Sequence, residues 1–398
     1  MNWNSSFDFA GPKQLVFGVG TINRIGEIAS SMGSKSPMIV TDPVLHKVGL
    51  TSSAEDSLKK AGLSTTIFSD ITTEPTVASV NSAVEMYREN QCDLLIAIGG
   101  GSSIDSSKAI SILLGNDGEI TEFQAQRTGS NWTAAKPITR IGSEIIAVPT
   151  TSGTGSEMTG GSGVRDPKTG IKGWAGSPLL KPSVALCDPE LSLSMPAHVT
   201  ADTGTDAFSQ GLECILVTKF KPISELLAYE ALAVIKEFLP KAYGNGSDIE
   251  ARSAMMWAAT TVGIAFGNAG LIHNHSFSEV LGDVVGLSHG RALGIMLPHF
   301  VEFNLPASVS KMAKVAKVMG EDTKGLSQRE SAELGLQSVI DLMEDIEVVN
   351  KLSDYGATQD HLNTAADRIW DQHTPRSILS PKGFKSRDEI LGLMQAAF

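Results

Sequence analysis

The sequence has little cysteine, no excess of positive charge and no long apolar run, and each shortage argues against a class of protein. Its three cysteines, Cys92, Cys187 and Cys214, are odd in number, far apart and in no C-x-x-C pair. That speaks against a disulfide framework and a thiolate metal site, and favours a reducing cytoplasm. Residues 1–17 show no basic region followed by an apolar run, and no stretch reaches the roughly 18 apolar residues of a membrane span. A cytoplasmic location without a membrane partner is expected. The 32 Lys and Arg against 44 Asp and Glu give a net charge of −12. A field of that sign repels nucleic acid and anionic lipid, which leaves a small molecule as the expected partner. There is no internal repeat, low-complexity tract or long linker.

What is present is a globular composition, 41% hydrophobic and 19% charged over 398 residues, too long for one typical core. The first half alternates short apolar β-rich runs with helical patterns. A strand at 38–41 ends at Asp42-Pro43, a helix is expected at 52–61, a strand at 65–69, and a helix at 76–89 with Val77, Val80, Ala83 and Val84 on one face. A strand at 93–98 runs into Gly99-Gly100-Gly101-Ser102-Ser103 and a helix at about 104–114. Strand, turn and helix in alternation imply a parallel sheet covered by helices, with ligands beyond the carboxyl ends of the strands. A further strand at 144–148 leads into a hydroxyl- and glycine-rich turn at 149–157. Residues 160–177 read as a hairpin-like excursion carrying Arg165 and Lys172, and 184–187 as one last strand. Past Asp188-Pro189 the pattern becomes helical, at 205–216, 224–238, 249–266, 291–304, 309–319, 331–343, 359–372 and 386–397. Two domains are expected, an α/β domain over 1–188 and an all-α domain over 189–398.

Three features carry candidate chemistry. Glycines between a strand and a helix let a phosphate approach the first helical amides, although the same turn serves as a tight connection that binds nothing. Asp42 is placed to accept ribose hydroxyls or simply to form an Asp-Pro turn. The turn at 149–157 offers donors to a sugar or phosphate, or is a surface loop. In the helical half, residues 267–298 hold His273, His275 and His289 with Glu279 and Asp283, an imidazole and carboxylate set suited to zinc, iron(II) or a similar ion. Asp202, Asp206 and Gln210 are spaced four apart, so Asp206 and Gln210 share a helix face, while Asp202 reads as a helix cap. His273 and His275 would point apart on a helix.

Val40-Thr41-Asp42-Pro43, Gly99-Gly100-Gly101-Ser102 with Asp105 and Lys108, the turn at 149–157, Thr203-Gly204-Thr205-Asp206-Ala207-Phe208, and the segment from His275 through His289-Gly290 to Leu297-Pro298-His299 occur in an order spanning nearly the whole chain. In these stretches the chain resembles the iron-dependent (group III) alcohol dehydrogenases, whose fold extends to dehydroquinate synthase. The resemblance implies an N-terminal dinucleotide-binding α/β domain, a helical C-terminal domain and a metal in the cleft between them. It implies hydride exchange between a nicotinamide and a small alcohol or aldehyde whose oxygen is polarised by one divalent ion, Fe(II) or Zn(II). Asp42 falls on the position contacting the adenosine ribose, where a carboxylate favours NAD over NADP. Gly99, Gly100, Gly101 and Ser102 fall on the pyrophosphate loop, Thr150, Thr151 and Thr154 on the loop around the nicotinamide half, and Lys172 on a ribose-contacting lysine. Asp206, His275 and His289 fall on three of four metal-ligand positions. A homodimer is also implied, in keeping with the apolar stretch Leu15-Val16-Phe17.

The chain departs from the pattern at three places. Gln210 stands where the fourth ligand is normally histidine, Glu279 replaces a further active-site histidine, and His273 replaces an aromatic or apolar residue. An amide oxygen is a poor transition-metal ligand beside imidazole. The favoured expectation is a three-residue shell with an open position for substrate, as Lewis-acid chemistry requires. A weak fourth ligand from Gln210 or Glu279 is the second possibility, and an empty site, as in the metal-free maleylacetate reductases, the third. A non-catalytic dinucleotide-binding protein is the alternative from another class. His273 and Glu279 are the candidates to relay the alcohol proton.

Overall fold

The computed structural model describes residues 6–11, 13–72, 74–128, 131–133, 135–166, 170, 172–348, 351–377 and 379–398, with side chains of 126–134 and 372–377 left aside. These residues form two compact units, 11–193 and 194–398, the second including the described residues 6–10.

The first unit is built on a six-stranded sheet in the order β1-β10-β7-β4-β2-β3. Its strands are β1 (Leu15–Phe17), β2 (Pro37–Val40), β3 (Thr66–Phe68), β4 (Leu94–Gly99), β7 (Ile145–Pro149) and β10 (Val184–Cys187). Two small antiparallel ribbons accompany it, β5 (Gln126–Thr128) with β6 (Asn131–Thr133), and β8 (Gly161–Arg165) with β9 (Lys172–Gly176). All pairings within the large sheet are parallel, with Ile96 opposite Ile39 on β2 and Ile146 on β7. The central strands β2, β4, β7 and β10 are buried along their whole length, as a sheet covered on both faces requires. Their side chains feed two apolar layers, one of Met38, Val40, Leu95 and Ala97 and the other of Ile39, Ile96, Ile98 and Val148.

Helices α1 (Ile25–Ser31), α2 (Pro43–Lys47), α3 (Ser52–Lys60), α4 (Val77–Glu89) and α5 (Gly101–Gly115) connect the strands. The start of α4 is set by a reciprocal cap between Thr76 and Ser79, and it buries Val80, Ala83, Val84 and Tyr87. The strand order reverses between β2 and β4, so Asp42 and the glycine turn lie at neighbouring carboxyl ends, with the 149–157 turn following β7 alongside. The stretch Leu15–Phe17 is an edge strand of this sheet: Val16 is buried in the core while Leu15 remains exposed. The apolar character of Val16 is therefore accounted for within the chain, and that of Leu15 is not.

The second unit is helical throughout its described residues: α6 (Ala197–Leu216), α7 (Pro222–Gly244), α8 (Ile249–Ala269), α9 (His273–Val285), α10 (His289–Val318), α11 (Gln328–Asp345), α12 (Gln359–Ser377) and α13 (Arg387–Ala396). Helices α6, α7, α8 and α10 close around Phe208, Leu232, Leu239, Val262 and Phe300, while α9, α12 and α13 share a core of Phe277, Leu281, Leu362 and Met394. The two helices expected at 291–304 and 309–319 are both present in this run, which kinks at Ser308, where the backbone is non-helical and the hydroxyl donates to the Asn304 carbonyl at 2.8 Å. Helix α6 starts eight residues before the expected 205, carrying two turns of threonine, glycine and aspartate that propensity disfavours but packing holds. Among the described residues no single helix is long and apolar enough to cross a membrane; the bent apolar pair α8–α9 is largely buried.

Candidate metal centre and cofactor turns

Asp206, Gln210 and Glu213 lie on one side of α6, as spacings of four and seven residues place them. All three are buried. The start of α10 is brought against α6 by Ser288, whose hydroxyl donates to Asp202 at 2.5 Å, and by Arg291, which pairs with Asp202 at 3.1 Å. Asp202, read from the sequence as a helix cap, is thus inside α6 and braces α10. A side chain at position 290 would overlap the Asp202 backbone, so glycine is what permits this approach. The result is to set His289, the first residue of α10, beside Asp206.

Ligand atoms of Asp206, His275 and His289 all lie within 4.8 Å of one another. Asp206 Oδ1 is 3.3 Å from His275 Nε2 and 3.7 Å from His289 Nε2. Two ligands about 2.1 Å from a tetrahedral ion stand about 3.4 Å apart, so both spacings suit a divalent metal. The donor set, two imidazoles and a carboxylate, is equally suited. Asp206 and His275 are buried, whereas the His289 side chain is 43% exposed, so the cluster is accessible on its His289 side.

Electrostatics bind the three groups together. Burial alone would raise the Asp206 carboxyl, but hydrogen bonds from His275 and His289 hold it well below the usual carboxylate range. Burial alone would likewise lower His275, but Glu213 and then Asp206 outweigh it and push the imidazole up to about 10. Gln210, expected from the sequence as a weak fourth ligand, donates its amide nitrogen to Asp206 Oδ1 at 2.8 Å. It presents a donor to the carboxylate, where a ligand role would require its oxygen.

His273 and Glu279 do not join the cluster. The buried His273 ring lies against Phe384, with centroids 4.2 Å apart and the planes tilted by 44°. Glu279 is half-buried one turn after His275. Asp283, also within the histidine-rich segment, pairs with Arg368 at 2.6 Å and serves packing. The residue that sequence reasoning missed is Glu213. Its Oε1 lies 2.5 Å from His275 Nδ1, and its Oε2 accepts the Ile272 amide at 2.8 Å. The i+7 spacing from Asp206 was a signal, but the histidine it serves lies 62 residues later.

In the sheet unit the two turns abut. Gly99 has φ +153, and a side chain there would overlap Ser103; a Cβ on Gly101 would stand 2.9 Å from Thr154 Cγ2. The Thr150 amide donates to the Gly99 carbonyl at 3.1 Å, and Thr151 lies beside Gly100. No side chain caps α5, whose start Ser102 helps form; a helix of this length begun by bare glycines is a natural seat for phosphate. Beneath the turns, buried Lys108 donates to Asp105, Thr159 and the Gly161 carbonyl, at 3.3, 3.3 and 2.7 Å. Asp105 in turn accepts from Ser156 and the Gly163 amide, both at 3.1 Å, tying α5 to the second turn and to the β8–β9 ribbon. Lys172, on that ribbon, holds its ammonium 5.5 Å from the centre of the Trp174 ring. Asp42 caps α2, its Oδ1 accepting the Val44 and Leu45 amides at 2.9 Å each.

Comparison with known proteins agrees with this fold over nearly the whole chain. Residues 12–189 match the model of the iron-containing alcohol dehydrogenases, and residues 200–398 that of the C-terminal region of the Fe-containing alcohol dehydrogenase family. The chain is 34% identical to an NAD-dependent methanol dehydrogenase of Bacillus methanolicus, over 92% of its own length and 94% of the relative's. It is 33% identical to a sulfoacetaldehyde reductase of Bilophila wadsworthia, over 97% of both. A crystal structure of 1,3-propanediol oxidoreductase superposes with a TM-score of 0.92 at 30% identity, covering 99% of this chain and all of that one. The chain belongs to the iron-containing alcohol dehydrogenase family.

Proposed function

We propose that this protein is an NAD-dependent dehydrogenase or reductase of a small alcohol or aldehyde, with one divalent ion held by Asp206, His275 and His289. The observation that carries the proposal is the convergence of one carboxylate and two imidazoles, with Asp206 Oδ1 3.3 and 3.7 Å from the two Nε2 atoms, a set that would hold a divalent ion. A bound nicotinamide supplies or accepts the hydride, and Fe(II) or Zn(II) supplies Lewis-acid polarisation of the substrate oxygen. The chain's own residues position these groups. Gly99, Gly100, Gly101 and Ser102 admit the pyrophosphate, Thr150, Thr151 and Thr154 border the nicotinamide half, and Lys172 and Asp42 serve the two riboses. Asp42, carrying negative charge at a strand end, disfavours a 2′-phosphate and hence NADP. Gln210 steadies Asp206 through its amide. Glu279, with His273 as the alternative, accepts or returns the alcohol proton.

Three cysteines, all buried, agree with a cytoplasmic protein. A homodimer is part of the proposal, supported by the position of β1 at the edge of the sheet and its exposed Leu15. The test is oxidation of NADH with a panel of short aldehydes, alongside elemental analysis. Turnover should disappear on chelation and return with Fe(II) or Zn(II). Undiminished turnover in demonstrably metal-free protein rules out the metal role.

A further inference from the structure

We propose that Glu213 is a positioning residue for the metal centre, setting the orientation and tautomer of His275, and that it determines how tightly a divalent ion is held. The inference rests on the three-ligand reading above. An imidazole can bind a metal through Nε2 only if its remaining hydrogen sits on Nδ1, and a carboxylate at Nδ1 both fixes that tautomer and makes Nε2 the better donor. Glu213 Oε1 lies 2.5 Å from His275 Nδ1, while Nε2 of the same ring faces Asp206 Oδ1 at 3.3 Å.

Glu213 cannot easily turn away from this duty. It is fully buried, Ser209 Oγ donates to its Oε1 at 3.1 Å, and the Ile272 amide donates to its Oε2 at 2.8 Å. Ser209 is itself held by Asn274 Nδ2 at 2.9 Å, and the same amide nitrogen reaches the Leu293 carbonyl on α10 at 3.2 Å. One network thus runs from α6 to the first turn of α9 and on to α10, the three helices that carry the ligands. Because Asp206 and Glu213 are two turns apart on α6, a single rigid face supplies one ligand and the support of another.

Charge points the same way. Asp206 and Glu213 bring two negative charges into a buried site with two imidazoles, which a divalent ion neutralises when the imidazoles are uncharged. Removing the Glu213 charge leaves the loaded site with an unbalanced buried positive charge, an unfavourable state in a dry interior.

The test uses the full-length protein stripped of metal and titrated with zinc chloride against a chromogenic chelator. Glu213→Gln keeps the shape and an acceptor for the Ile272 amide but removes the charge; it should bind zinc about 10- to 100-fold more weakly than wild type. Ser209→Ala, a milder change expected to fold in any case, should weaken it about threefold to tenfold by loosening Glu213. Wild-type protein that takes up no zinc overturns the metal reading and this assignment together. Wild type that takes it up while both variants hold it as tightly overturns the assignment alone. So does a Glu213→Gln protein that melts earlier yet binds zinc normally, since Glu213 would then only anchor the start of α9.

Discussion

The two candidate sites are made of opposite materials. The turns after β4 and β7 are formed by glycines, threonines and serines, so their shape comes from backbone that lies close to backbone, with ionic groups kept beneath as a brace of Asp105 and Lys108. The cluster on α6, α9 and α10 is formed by ionisable side chains projecting from rigid helices, with ordinary helical backbone around them. The first kind of site is sensitive to added volume and less dependent on charge. The second is the reverse, because its work depends on charges that the interior tolerates only in balance.

The largest effects should separate the two. Asp206→Asn takes the anion from the metal cluster and should lower kcat/KM about a thousandfold, since the Lewis-acid contribution amounts to several kcal/mol, while NADH binding stays at the wild-type level. Gly101→Ala adds one methyl group 2.9 Å from Thr154 Cγ2. It should weaken NADH binding about 10- to 100-fold, the cost of overpacking, and leave metal content unchanged. Fluorescence titration of NADH and elemental analysis on both variants check the contrast. If either substitution moves both quantities, the sites are not independent in the way their construction implies.

The same contrast explains what could be read from the sequence. The backbone-built site announces itself locally: the strand at 94–99, three glycines and a helix are contiguous, and the parallel sheet follows from repeating that pattern. The side-chain cluster draws on residues far apart in the chain, and only the resemblance to a family links Asp206 to His275 and His289 before folding brings them within 4.8 Å. Glu213 stayed hidden for this reason. Nothing near it in sequence asks for a carboxylate, and its partners Ile272 and His275 arrive from another helix. Helix α9 is not signalled by propensity, since its histidines, asparagine and serines are poor helix formers held by their surroundings. Family position suggests a ligand at Gln210, whereas its immediate neighbour on the helix, Asp206, is the group its amide meets.

A smaller effect probes α9. His273 and Glu279 lie on the helix that carries His275 but outside the ligand cluster, so their loss should spare metal uptake and NADH binding. If they handle the alcohol proton, His273→Leu combined with Glu279→Gln should lower kcat about a hundredfold, within the usual range for general acid–base catalysis. Steady-state rates with a short aldehyde and NADH decide it. Unchanged kcat would remove both residues from proton transfer and confine the catalytic part of α9 to His275.

The smallest expected effect tests where the two kinds of construction meet. Asp42 is an ionisable residue in the backbone-built region, and it is doing a backbone task, since Oδ1 receives the Val44 and Leu45 amides at the start of α2. A cap needs an oxygen but no charge, whereas discrimination against a 2′-phosphate needs the charge. Asp42→Ser retains the oxygen, so stability should stay within about 0.5 kcal/mol of wild type while Asp42→Ala loses about 1 kcal/mol. Both should shift the ratio of kcat/KM for NADH over NADPH toward NADPH by about tenfold, because each lifts the same repulsion between like charges. Denaturant melts and rates with the two cofactors are sufficient. A cofactor ratio that does not move, with the stability difference intact, would make Asp42 a cap and nothing more, and the sheet unit would then hold its dinucleotide without any help from charge at this strand end.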